Sequence, residues 1–195
     1  MRVSKKVLVA CEFSGVVRDA FLRRGHDAWS CDVLDGRRPT RGRHYKQDVR
    51  PLLKEKWDLV IAHPPCTYLT KCGAPARQKD ESRRDKMMLG IEFFMECLGA
   101  NSPRVAVENP VPFKEVTEAV GRCTQTIHPW QFGHLITKPT CLWLKGLPEL
   151  ESTDVVEPIN NIMDVIHNPK TRRWMRSITF LGIAEAMAEQ WGSLR

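Results

Sequence analysis

Trp57-Asp-Leu-Val-Ile-Ala62, halted at once by His63-Pro64-Pro65-Cys66, sets the architecture of this chain. A continuous apolar run stopped by two prolines is the pattern of a strand buried on both faces in a parallel sheet. Towards the N-terminus, Lys6-Val-Leu-Val-Ala10 is a second such run. It leads through Cys11-Glu-Phe-Ser-Gly15 into Val16, Val17, Ala20 and Phe21, which recur at helical spacing as far as Gly25. A strand from Asp27 to Cys31, closed by Asp32, and a polar, Arg-rich loop to Tyr45 follow. Towards the C-terminus, Met87, Met88, Ile91, Phe94, Met95 and Leu98 predict one apolar helix face, and Arg104 to Val107 a strand. Thr140 to Leu144 reads as another strand, Gly146 to Pro169 is interrupted by Pro and Asn, and Thr179 to Trp191 resembles an amphipathic helix. Strands alternating with helices predict an α/β, doubly wound, mostly parallel sheet.

At 195 residues and 42% hydrophobic, the chain can bury one substantial core, so a single domain over 1–195 is expected. Its apolar runs are too short to span a bilayer, and no secretory signal is visible, which predicts a cytoplasmic protein with no membrane partner. Seven cysteines without Cys-x-x-Cys pairs suit a reducing compartment and suggest no disulfide framework or metal site. A net charge of +7 and a pI near 9.2 favour a polyanionic partner, nucleic acid first, although a generally basic surface has the same composition.

Doubly wound sheets bind ligands beyond the carboxyl ends of their strands. Those positions hold Glu12-Phe13-Ser14-Gly15, Asp32, Asp48, Pro64-Pro65-Cys66 and Glu108-Asn109-Pro110. All are therefore expected to face one cleft.

Pro64-Pro65-Cys66 after one apolar strand, with Val107-Glu108-Asn109 after another, resembles the DNA cytosine-5 methyltransferase family, especially the short forms common in phages and prophages. The resemblance implies a Rossmann-like methyltransferase domain, S-adenosylmethionine as methyl donor and DNA as substrate, with the target base rotated out of the duplex. It implies that the Cys66 thiolate adds to carbon 6 of cytosine and that Glu108 binds ring nitrogen 3 and the exocyclic amine. Lys138 is the one cation near the place where relatives carry two arginines close to the base.

For the cofactor, a tight Phe13-Ser14-Gly15 turn would let main-chain groups approach the methionine part, and Asp32 at the end of the second strand would accept both ribose hydroxyls; the resemblance adds Pro64 as a cofactor contact and assigns Asp48 to the adenine amine. It also implies that the helix after Ser177 packs back beside the first turn. Each of these residues, taken alone, could be an ordinary turn or cap residue. Lys71, Arg77, Arg83 and Arg84 lie in a predicted lid, and Arg172 and Arg173 in a second basic cluster, as candidate DNA phosphate contacts. A solvated surface loop and a charged approach to a helix would have the same composition.

The pattern departs from the family at Val17, where a second glycine is usual, at Thr67 in place of glutamine, at Pro110 in place of valine, and at the missing arginine pair. About thirty residues separate Leu144 from Ser177, where full-sized relatives hold a large target-recognition region, reduced here to roughly 146–172. A loose DNA site, a partner subunit, a homo-oligomer or a nucleotide-sized substrate would each accommodate this. A catalytically silent binding protein is the alternative of a different class. An amino-methyltransferase would need Asp or Asn before the prolines and an aromatic after them, whereas His63 and Cys66 stand there.

Overall fold

The computed structural model describes residues 3–37, 42–70, 82–159 and 177–194. Seven strands, β1 (Lys6–Ala10), β2 (Asp27–Asp32), β3 (His44–Lys46), β4 (Leu59–Ala62), β5 (Val105–Pro110), β6 (Gln125–Ile127) and β7 (Thr140–Lys145), form one sheet in the order 3-2-1-4-5-7-6. The pairings from β3 through β5 are parallel, and β7 alone runs against its neighbours on both sides. The helices are α1 (Val16–Arg23), α2 (Arg50–Leu53), α3 (Ser82–Leu98), α4 (Lys114–Val120) and α5 (Leu181–Gln190).

Strand alternation explains the two cores. In β1 and β4 the odd-numbered Val7, Val9, Leu59 and Ile61 point to one face, where they meet Val17 and Phe21 of α1 and Ile183 and Met187 of α5. The even-numbered Leu8, Ala10, Val60 and Ala62 point to the other, against Leu52, Ile91, Phe94 and Val116 from α2, α3 and α4. Val7 through Ala10 and all of β4 are buried, as a parallel sheet covered on both faces requires.

Several sequence expectations are corrected. The strand expected from Trp57 begins at Leu59; Trp57 is instead a buried anchor whose indole N–H donates to the Leu52 carbonyl at 2.8 Å. The polar loop to Tyr45 contains edge strand β3, and α4 and β6 were not expected from the sequence pattern. Glu108-Asn109-Pro110 belongs to β5 itself, paired with Leu142, Cys141 and Thr140. In α3 the buried stripe is Met87, Ile91, Phe94 and Cys97, while Met88 and Met95 are exposed at 49% and 44%, because they lie one residue off the stripe.

Part of the stretch after β7 is pinned down. Thr153 and Asp154 N–H groups donate to the Gln131 carbonyl and Val156 N–H to that of Trp130, which aligns this strand-like stretch with the 3-10 turn Pro129–Gln131. No helix among the described residues is long and apolar enough to cross a membrane.

Candidate active site

Register brings the chemistry-bearing segments to one edge. Ala10 is level with Cys31 and Ala62, and Ala62 with Val107, so the chain leaves β1, β2 and β4 at the level of Glu108 of β5. Cys11–Gly15, Asp32, His63–Cys66 and Glu108–Asn109 therefore share the carboxyl edge, where a doubly wound sheet accepts ligands.

The first turn is built on a buried carboxylate. Glu12, 4% exposed, accepts the Val17 N–H at 2.7 Å and the Arg18 N–H at 3.3 Å, satisfying two of the unpaired donors at the start of α1; the Ser14 hydroxyl donates to it at 3.2 Å. Burial pushes the Glu12 carboxyl up, opposed by the His63 charge and the two N–H donors. Gly15 has φ 72°, and a methyl group there would collide with the Arg18 guanidinium. That guanidinium is fully buried and held by Asp19 at 2.7 Å and Ser30 at 3.0 Å, so it has little freedom to move away. Gly15→Ala is expected to cost about 1–2 kcal/mol from the left-handed backbone alone, with the displaced Arg18 adding to it. An unchanged midpoint of thermal unfolding would contradict this.

Phe13 is half-buried beneath Arg37, whose guanidinium carbon lies 5.7 Å from the ring centre. Asp32 ends β2 and accepts the Leu34 N–H at 2.9 Å; beyond it Val33 and Leu34 are 69% and 55% exposed, an apolar step beside a carboxylate. Asp48 is exposed, accepts the Arg50 N–H and guanidinium at 2.9 Å each, and is thereby held below the usual carboxylate range. Ser177 is exposed and does not cap the last helix: α5 begins at Leu181 behind Phe180. That helix does lie against α1, where Glu185 pairs with Arg23 and Arg24.

Past β4, Pro64 is buried, Pro65 exposed and Cys66 half-buried. The Cys66 carbonyl accepts the Leu69 N–H at 3.0 Å, closing a turn whose Leu69 carbonyl accepts the Phe113 N–H at 3.0 Å. Asn109, 2% exposed, donates its side-chain amide to the Pro64 carbonyl at 3.1 Å. Two cross-links thus fix the Cys66 turn to the segment carrying Glu108.

Alternation directs His63 and Glu108 to the sheet face of Ile61 and Ala106. There His63 Nδ1 lies 2.8 Å from Glu108 Oε2, with both side chains about 15% exposed or less. Burial alone would raise the Glu108 carboxyl, but the His63 hydrogen bond and the charges of His63 and Lys138 outweigh it and hold Glu108 below its ordinary value. Burial would likewise lower the His63 imidazole; the Glu108 hydrogen bond and the charges of Glu108 and Glu12 override it and hold the ring above its ordinary value, against the like charge of Lys138. Lys138, half-buried with its ammonium 5.7 Å from the Phe180 ring centre, thus belongs to the electrostatic surroundings of Glu108.

Two other thiols, Cys31 and Cys141, are poorly suited to act as nucleophiles. Burial pushes Cys31 up to about 12, and burial together with neighbouring Cys123 pushes Cys141 up to about 11. Among the described residues no group of His, Cys, Asp and Glu is disposed to hold a metal ion.

The structure brings Phe13, Ser14, Gly15, Asp32, Pro64, Cys66 and Glu108 to one edge, with Lys138 in electrostatic reach of Glu108. Arg83 and Arg84 open α3, with Arg83 5.0 Å from the centre of the Tyr68 ring just past Cys66. Lys71, Arg77, Arg172 and Arg173 lie outside the described residues. Sequence reasoning overlooked His63 as a site residue, using it only to argue against amine chemistry. Its signal was its place two residues after Ile61, on the face that Glu108 occupies one strand away.

No protein-family model and no curated protein matches the chain. Among solved structures it is similar to a candidate DNA modification methyltransferase encoded within an E. coli prophage, at 15% identity and a TM-score of 0.45. The alignment covers 71% of this chain and 45% of that one, so the chain spans less than half of that protein's length.

Proposed function

We propose that the chain is an S-adenosylmethionine-dependent methyltransferase acting on carbon 5 of cytosine in DNA, with Cys66 as nucleophile. The observation that carries this reading is the joining of two elements: the Pro64-Pro65-Cys66 turn is tied to β5 through Asn109, beside a buried carboxylate at Glu108. Binding alone would need neither a presented thiol nor an acid at the same edge. The mostly parallel, doubly wound sheet agrees with the Rossmann-like methyltransferase domain that the resemblance implies.

Carbon 5 of cytosine is a weak nucleophile. Addition of the Cys66 thiolate to carbon 6 converts the ring to an enamine, and Glu108 stabilises that adduct at nitrogen 3 and the exocyclic amine. Asn109 positions the turn, and Lys138 adds positive charge beside the carboxylate. S-adenosylmethionine supplies the electrophilic methyl group when bound. The edge suits it: the Phe13–Gly15 turn and Pro64 would border the methionine portion, Asp32 the ribose, Asp48 the adenine amine with the exposed Val33 and Leu34 beside the adenine ring, and Ser177 the rim.

Lys71, Arg77, Arg83, Arg84, Arg172 and Arg173 would contact DNA phosphates around a flipped base. Replacing Arg83 and Arg84 by alanine is expected to reduce the logarithmic salt slope of DNA binding by roughly 0.9 for each phosphate that is no longer neutralised. An unchanged slope removes the start of α3 from the DNA surface.

The deciding experiment sequences DNA, by a method that reads modified cytosine, from cells expressing the wild type and Cys66→Ala. Cytosine marks present only with the wild type support the proposal. Methyl label appearing on an exocyclic amine would overturn it.

A further inference from the structure

Resting on that reading, we propose that His63 supplies, through Glu108, the proton that cytosine takes up at nitrogen 3 when Cys66 adds to carbon 6. In that step the sulfur–carbon 6 bond forms, the carbon 5–carbon 6 π pair moves to carbon 4–carbon 5, and the carbon 4–nitrogen 3 π pair takes the proton. An ionised carboxylate is only an acceptor and has no proton to give. The proton has to reach Glu108 from outside the carboxylate, and His63 Nδ1 stands 2.8 Å from Glu108 Oε2.

The geometry favours exchange between these two groups. His63 Nε2 is buried and meets no hydrogen-bond partner among the described residues, so the polar connection of the ring runs through Nδ1 to Glu108. Among the described residues three charged groups face the imidazole: Glu108 from β5, Glu12 from the turn between β1 and α1, and Lys138 from the segment before β7. The two carboxylates favour the imidazolium and Lys138 opposes it, with the balance towards the charged ring. When the proton passes on, neutral His63 remains beside ionised Glu108. Nitrogen 3 returns it to the pair when the carbon 5 proton leaves to a base and the sulfur–carbon 6 bond breaks. His63 is thus a positioning and proton-storing residue acting through Glu108, without touching the base.

The sign of the pH dependence follows. The imidazolium is full below its pKa and lost above it, so adduct formation should fall on the alkaline side as pH rises through the raised His63 value. The test measures the rate of covalent capture of DNA containing 5-fluorocytosine, against pH, for the wild type and His63→Gln, whose amide can hold Glu108 but cannot store a proton. His63→Gln should lower the rate at neutral pH roughly tenfold or more and displace the alkaline limb.

A second readout needs no variant at His63 and no turnover. Nitrogen-15 shifts of the His63 ring should report both nitrogens protonated near neutral pH in the wild type, and an earlier loss of that proton in Glu108→Gln. Wild-type rate and limb in His63→Gln, or a neutral ring at neutral pH in the wild type, overturns the inference and leaves the methyl-transfer reading standing. A wild type that captures no 5-fluorocytosine DNA overturns both.

Discussion

Cys66→Ser is expected to eliminate covalent capture of 5-fluorocytosine DNA and to reduce methyl transfer to background, while S-adenosylmethionine binding persists. A hydroxyl is a far weaker nucleophile than a thiolate at neutral pH. Cys31 and Cys141 cannot stand in for the missing thiol, because they are buried and raised to about 12 and about 11, which leaves them protonated. The turn should survive the change, because Asn109 holds it at the Pro64 carbonyl and Leu69 at the Cys66 carbonyl, and neither bond uses the sulfur. Gel-shifted adduct and label transfer measure the two effects. Residual wild-type methylation in Cys66→Ser would move the nucleophile elsewhere and remove the cytosine-5 chemistry.

Glu108→Gln is expected to lower the rate of methyl transfer by about 10²–10⁴-fold, the range for losing a positioned acid–base group. The amide preserves shape and can still meet the ring edge, but it cannot accept and pass a proton. It also removes the buried negative charge that favours the imidazolium of His63. The loss should therefore fall on the rate of adduct formation rather than on cofactor affinity, which depends on the other end of the edge. Single-turnover rates and cofactor titration separate the two. A Glu108→Gln variant within a few-fold of the wild-type rate would leave Cys66 without its acid.

Much of this arrangement was legible in the chain. β1 and β4 are uninterrupted apolar runs between breakers, and residues placed just beyond such strands share an edge by topology alone. Edge strand β3 escaped because His44-Tyr45-Lys46 is short, partly exposed and has no apolar run. In α3, six apolar side chains matched a helical repeat, but more were available than one face could bury, so Met88 and Met95 were left outside. Asp48 came from likeness to relatives, and its position shows a carboxylate engaged with Arg50. The His63–Glu108 pair was harder to read, because it joins the residue just past β4 to one on β5, and the register between the two cannot be read from either segment separately. Glu12 as a cap was similarly hidden: the N–H groups it accepts belong to Val17 and Arg18, after a glycine turn whose curvature the sequence suggests but does not specify.

The packing of α5 on α1 orders events in time. The apolar side of the helix that follows the first turn is covered by Ile183 and Met187, far along the chain from it. Contacts spanning so much intervening sequence carry a large loop-closure entropy and tend to form late. A nascent chain still tethered to the ribosome before Leu181 would thus expose Val17 and Phe21, and its first turn would gain its full support only once synthesis had passed the last helix.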